Sequence, residues 1–351
     1  MHKKLPVFLM SVLLVFTGIV ICRSNTIDAE IMQLISPHAD NLRLKPADLQ
    51  LLARGEIVAR DVPASHSKEM AGFGAMLADA EPKEFVEAFR TLSVFKQSKS
   101  IIAYRRFGEQ PALGDLIRLS LKDKDLLELM RARVSASDVK LSRADIARIQ
   151  AITGPGSRFT GKLVTALTDE YKSILLEKVR SYATLGGKSL GASADQDEPV
   201  DTNDAMIRML RYQASYAKYG EDFYSLLADH PRINDERAES FYYWSVQKFG
   251  QLKPVISLVH VTIFQDGARV FIVSKQIYSN HYTEAGLGIA ELIPFTDQHG
   301  KVRTLTAYTI RLQVDMFGGT MGFLKKRMAQ PRMLETLKES LQGLRANVEA
   351  L

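Results

Sequence analysis

The chain has one cysteine among its 351 residues, Cys22, and that residue ends an apolar N-terminal run. The body beyond it has no thiol, which excludes an internal disulfide, a catalytic cysteine and a thiolate metal site. The seven histidines of the whole chain include no HExxH pair and no close ligand spacing, so a zinc centre is not expected. A G-x-S-x-G elbow is absent too. The one phosphate-loop-like stretch, LGGKS at 185–189, has Tyr182 where the first glycine belongs and comes after a helical pattern rather than a strand. Charge of one sign is scarce: the formal +6 falls to +3 once Lys3, Lys4 and Arg23, which flank the apolar run, are set aside. A nucleic-acid partner would require a concentrated basic stripe and is not expected. No internal repeat is present, and nothing in the composition calls for a cofactor.

Residues 5–22, LPVFLMSVLLVFTGIVIC, carry no charge and come directly after Lys3 and Lys4. Basic residues before an apolar run orient it with its N-terminus in the cytoplasm and send the rest of the chain outward. Eighteen residues is short for a span and long for a signal-peptide core. No A-x-A pattern is present after it, and Ile21 stands where a small residue would precede a lipidated cysteine. Segment 1–23 is therefore read as an uncleaved anchor in the bacterial inner membrane with the body on the periplasmic side. A cleaved signal, releasing the body into the periplasm, is the alternative.

Residues 24–45 are mixed and polar and read as a tether with a short helix around 28–34. Strand-like runs occur next at 56–62, in MAGFGAMLADA and in IIAYRRF at 101–107. Between the last two, Pro82 opens a helix with Phe85, Phe89 and Leu92 at helical spacing. This stretch, 46–110, is the first part of an α+β domain. From 111 to 235 the pattern is helical, with Ser142 and Asp145 as a capping pair and a stripe through Leu163, Leu167, Tyr171, Ile174, Leu175 and Val179. The Gly-, Ser- and acid-rich stretch 186–204 reads as a loop, with a further helix over roughly 204–219. Residues 236–351 are strand-rich and close with a helix. Residues 255–264 are apolar on both alternating faces, which predicts a strand buried on both sides. The stretch 304–316 separates into Tyr308, Ile310, Leu312, Val314 and Met316 on one face and Arg311, Gln313 and Asp315 on the other. Leu334, Leu337, Leu341, Leu344 and Val348 give the last helix one apolar face, and Pro331 is expected to start or kink it.

The strand GFGAMLADA, the helix EPKEFVEAFRTL after it, the later strands and the closing GGTMGFLKKRM…LQGL together resemble the START/SRPBCC helix-grip superfamily. Runs such as YYWSVQKFGQLKPVISLVHV and KQIYSNHY also resemble an uncharacterised exported bacterial family. The helix-grip resemblance implies an antiparallel sheet wrapping a long C-terminal helix with a hydrophobic tunnel between them. It covers 50–110 and 238–351 and leaves 111–235 as a large helical insertion. It supplies no catalytic residues.

The candidate binding residues are Lys275, Tyr278, His281, Tyr282, Arg311, Asp315 and Trp244. Lys275 alternates with Phe271, Val273 and Ile277, so its amine points into apolar space, where a lysine loses proton affinity and can act as a nucleophile. A paired or snorkelling lysine is the bland alternative. His281 and Tyr282 are suited to holding a head group or moving a proton; a satisfied structural histidine is the alternative. His260 reads as a core histidine bonded to a carbonyl. Arg311 and Asp315 either oppose Lys275 or, with Gln313, form a solvated face. Trp244, in the run Tyr242–Trp244, either stacks a ligand or packs. Lys325, Lys326, Arg327 and Arg332 form a basic patch suited to anionic lipid or to plain solvation.

These features describe a non-enzymatic, membrane-tethered or exported protein that holds a lipid or other hydrophobic small molecule between sheet and helix. The alternatives are a cavity enzyme using Lys275 or His281, and an assembly factor that docks a protein through 111–235.

Overall fold

The computed structural model describes residues 28–351 apart from 97, 99, 155–156, 158, 198–199, 218–219, 232–234 and 249. The apolar run 5–22 lies outside the described residues, and no described helix is long and apolar enough to cross a membrane. The protein is α+β. Its strands are β1 (Val58–Asp61), β2 (Glu69–Ala78), β3 (Ile101–Arg106), β4 (Ala238–Gln247), β5 (Val255–Asp266), β6 (Arg269–Ser279), β7 (Thr283–Thr296) and β8 (Val302–Val314). The described helices are α1 (Ala39–Leu42), α2 (Pro46–Ala53), α3 (Pro82–Arg90), α4 (Asp123–Arg131), α5 (Arg143–Ile152), α6 (Gly161–Leu185), α7 (Thr202–Ala217), α8 (Glu221–Ala228) and α9 (Gly322–Val348).

All eight strands form one open antiparallel sheet in the order β1-β2-β8-β7-β6-β5-β4-β3. β4 to β8 form a meander, and β5 and β6 join through a tight turn in which Gly267 has φ +61°. Both faces of the sheet are covered. On the front, α3 and α9 pack on Met76, Val259, Val261, Ile272, Ala290 and Leu292. The back carries three apolar clusters side by side. Ile31, Ile35, Leu42 and Leu52 from the N-terminal helices cover β2 and β8. Met206, Met209, Leu210, Phe223 and Leu227 of α7 and α8 cover the middle of β5–β7. Helices α4 to α6 cover Trp244, Ile256, Leu258 and Tyr278. Strands buried on both sides account for the continuous apolar runs in β5 and β7.

Local sequence explains the main elements. Ser142 accepts from the Asp145 amide at 3.1 Å and donates its own amide to the Asp145 carboxylate at 3.1 Å, closing the capping box of α5. Pro82 sits at the first position of α3, where its missing N–H costs nothing. α9 lies almost on bare backbone: a Cβ at Gly74 would stand 2.5 Å from Leu341, and one at Gly72 2.8 Å from Met333. These two β2 glycines let Leu337 and Leu341 become fully buried, each contributing about 1.5–3 kcal/mol.

Two expectations need correction. Residues 28–45 are not a tether, since Ile31, Ile35, Leu42 and Leu44 are buried in the core. Pro331 does not start the last helix: it lies inside α9, which begins at Gly322, leaving the second alternative, a kink; the proline is exposed, so the carbonyl it leaves unbonded can meet water. The helix α8, apolar at Phe223, Leu226 and Leu227, lies within the stretch 111–235 read as helical.

The junction of α6 with the loop before β4 depends on one glycine. Gly186 has φ +59° and ψ −141°, and a Cβ there would fall 1.7 Å from the backbone oxygen of His230. Gly186→Ala is expected to lower the unfolding free energy in urea by about 2 kcal/mol or more. A change under about 0.5 kcal/mol, the range of a neutral surface substitution, would contradict this packing.

Candidate functional site

Trp244, Lys275, Tyr278 and Arg311 all lie on the back face, turned away from α9. His281 and Asp315 sit at the sheet end against the α4–α6 insertion. Tyr282, with φ +61°, belongs to the end cluster that also contains Ala329 and Met333 of α9, and its hydroxyl accepts from the Lys253 amide at 3.1 Å. Trp244 is fully buried and donates its indole N–H to the Asp115 carbonyl at 2.9 Å, so it is a packing residue. The others fall into three groups.

The first is built around Lys275, which lies across the β5–β6 ladder from His260. Lys275 is 3% exposed, and its amine donates to the Leu227 carbonyl of α8. Burial pushes its pKa down to about 7. The His260 ring is packed among Tyr242 at 4.9 Å, His230 at 4.2 Å and Tyr182 at 5.4 Å. Neither His260 nitrogen has a partner among the described residues, so the expected carbonyl bond is absent. Burial drives His260 well below the ordinary histidine range, and burial with the nearby Lys275 charge lowers His230 to about 4. His230 Nε2 pairs with the Tyr242 hydroxyl at 3.0 Å.

The second group surrounds Lys140, on the segment joining α4 and α5. Its ammonium meets Glu284 at 2.8 Å, Asp315 at 3.0 Å and Asp195 at 3.2 Å. Burial opposes the charge, but the three carboxylates outweigh it and hold the Lys140 pKa above its usual value. Burial likewise raises the Glu284 carboxyl despite Lys140 beside it. The Tyr278 hydroxyl donates to the Lys140 carbonyl at 2.9 Å and also pairs with the Tyr171 hydroxyl at 3.1 Å. His281 Nδ1 pairs with the Asp138 carbonyl at 2.7 Å, and burial holds its pKa low. The cavity beside His281 is about 10 Å³, room for at most one water. This group fastens the insertion to the sheet. Among the described residues no three His, Cys, Asp or Glu side chains are arranged to hold a metal ion.

The third group opens to solvent. Arg311 is 0% exposed; it donates to Glu69 at 2.7 Å, to the Pro63 carbonyl at 3.1 Å and to Gln213 at 2.9 Å. Its guanidinium carbon lies 4.7 Å from the Tyr212 ring centre, and its Nη2 has no partner among the described residues. The solvated face expected for Arg311 and Gln313 is in fact buried under α7, with Arg208 donating to Gln313. Outside this layer runs a groove of about 500 Å³ lined by Ser65, Asp204, Ile207, Arg208, Arg211 and Tyr212. Five of these six residues recur at three- and four-residue spacing along α7, so one helical stripe forms the wall. Arg208 Nε is buried without a partner, whereas Arg211 is exposed and donates to the Tyr224 hydroxyl at 3.0 Å. Glu69, the nearest buried acid, is engaged by Arg311 and by the Ser65 amide at 2.9 Å.

None of the predicted residues lines this groove; Arg311, 0% exposed, lies in the layer beneath it against the Tyr212 ring. The α7 residues were missed, although TNDAMIRMLRYQ carries the signal: Asp204, Ile207, Arg208, Arg211 and Tyr212 fall on one side, and Ala205, Met206, Met209 and Leu210 on the buried one. No protein-family model and no curated protein matches the chain. The assignment of the site rests on its geometry.

Lys275 sets a pH signature. Its folded pKa is about 7 against 10.5 unfolded, so between those values the unfolded chain binds the extra proton and stability rises with pH. Below about 7 the amine is charged in both states and its burial cost is fully present. Lys275→Met is expected to be more stable than wild type below pH 7, with the gap narrowing steadily towards pH 10.5. Urea unfolding across this range measures it; a gap independent of pH would refute the buried amine.

Proposed function

We propose that the chain is a non-catalytic, membrane-tethered or exported binding protein whose ligand carries an anionic group held in the α7 groove. The observation that carries this reading is the stripe of Arg208, Arg211 and Tyr212 along an open groove of about 500 Å³, a volume in the range of small-molecule sites. Guanidinium groups bind carboxylate and phosphate oxygens through paired N–H donors, and Arg208 Nε has no protein acceptor among the described residues. Ile207 and Tyr212 offer apolar wall beside these donors, which suits an amphipathic anion of fatty-acid or lipid type.

An antiparallel sheet with a long C-terminal helix laid across one face supports the helix-grip resemblance. The direct contact of α9 with Gly72 and Gly74 favours the groove over the sheet–helix interior as the binding place. Lys275 and His281 are both 3% exposed and line no open groove, which favours binding over catalysis. Residues 5–22 would hold the body on the periplasmic side of the inner membrane, or direct it into the periplasm if cleaved.

Titration calorimetry with dodecyl phosphate below its micellar concentration tests the reading. Binding should weaken at least about tenfold, roughly 1.4 kcal/mol, in Arg211→Gln, whose exposed side chain bears little on folding, and further with Arg208→Gln. Binding unchanged by both substitutions, or no binding of either dodecyl or inorganic phosphate, would refute it.

A further inference from the structure

The start of α9 combines two features that the fold does not use. From Gly318 to Leu334 there is no Asp or Glu, while Lys325, Lys326, Arg327 and Arg332 are all basic. Within the same stretch Met321 is 56%, Phe323 76%, Leu324 47% and Met328 66% exposed. Helical spacing puts Leu324, Met328 and Pro331 on one outward arc, with Arg327 and Arg332 at its two edges. Lys326 is on the other side, where its amine donates to the Ser67 carbonyl at 3.1 Å and ties the helix to the β1–β2 loop. Large apolar side chains clustered in solvent mark a contact surface, and long basic side chains flanking them fit a bilayer of anionic lipid.

Further cations lie nearby, although Glu69 opposes them at His66 and Asp204 lines the adjoining groove. His66, in the β1–β2 loop, has its pKa lowered by burial and by the charges of Arg208, Lys68 and Lys326, so these cations gather at one end of the sheet. The Arg208–Arg211 groove opens at that end. The N-terminal helices and α9 both pack at the β1–β2 edge, on opposite faces. Only residues 23–27 separate the expected span from the folded body, a reach of roughly 18 Å at full extension. A span at 5–22 would hold the body beside the bilayer but does not by itself select this patch. Glu30 accepts from the Gln298 amide at the β7–β8 turn, the end of the sheet opposite Ser67 and the start of α9. Lipid as the occupant rests on the basic charge and exposed apolar side chains of α9 itself.

We propose that the N-terminal turns of α9 dock on an anionic membrane surface, with Phe323, Leu324 and Met328 entering the headgroup layer and Lys325, Arg327 and Arg332 pairing with lipid phosphates. This contact stands apart from the groove, since the calorimetric titration can fail while the docking holds. The experiment uses the full chain carrying Phe323→Trp, reconstituted into vesicles of brominated phosphatidylcholine with and without phosphatidylglycerol. Trp244, the one native tryptophan, is fully buried and serves as an unquenched internal reference for folding. Docking predicts at least about twofold quenching of the introduced tryptophan when phosphatidylglycerol is present, reversed by high salt and by Lys325→Gln with Arg327→Gln and Arg332→Gln. Emission unaffected by phosphatidylglycerol, whether unquenched in both vesicles or equally quenched in both, would overturn the proposal.

Discussion

Everything in this molecule depends on a sheet buried on both faces. An antiparallel sheet commonly keeps one face for water; here α3 and α9 take the front, and the back is tiled by the N-terminal helices, α7–α8 and α4–α6. Polar side chains on the back strands therefore cannot rely on solvent and must find partners inside. Arg311 finds Glu69 and Gln213, and Glu284 finds Lys140. Desolvating such charges costs several kcal/mol per ion, so these pairs specify the docking of helices more than they add stability. Lys275 has only a carbonyl and yields proton affinity instead.

The same constraint decides what could be read from the chain. The strands β1, β2, β3 and β5, the helix opened by Pro82 and the apolar stripe of α6 were legible because each carries its own periodicity. The doubly buried character of β5 was also legible, since Ile256 and Leu258 are as apolar as Val259 and Val261. The face of Arg311 and Gln313 was not. Alternating polar residues look the same whether water or a buried glutamate satisfies them, and Glu69 lies far away in sequence. Residues 28–45 misled for a related reason: Ile31, Met32, Leu34, Ile35, Leu42 and Leu44 are scattered among polar residues, and the spacing of Ile31, Ile35, Leu42 and Leu44 matters only once β2 and β8 lie beneath them.

The helical stretch between β3 and β4 covers the core and also lines a groove. Its Lys140 cluster and the Tyr171–Tyr278 pair lock it to the sheet, with no room left for a ligand. Helix α7 has a different outcome. Its apolar side completes the back layer, and its opposite stripe lines a groove with Arg208, half-buried on Gln313, and the exposed Arg211. Chemistry predicted for β6 and β8 thus lies sealed underneath, while the groove's cations sit one layer out, on the helix that seals it.

The central claim is that the ligand belongs to this groove and not to the space between α9 and the sheet. A structure of the protein bound to an alkyl phosphate would decide between them. The account predicts phosphate oxygens against the Arg208 and Arg211 guanidinium groups, with the chain along Ile207 and Tyr212. An alkyl chain lodged between α9 and β6–β8, with Leu337 and Leu341 displaced from Gly72 and Gly74, would contradict it.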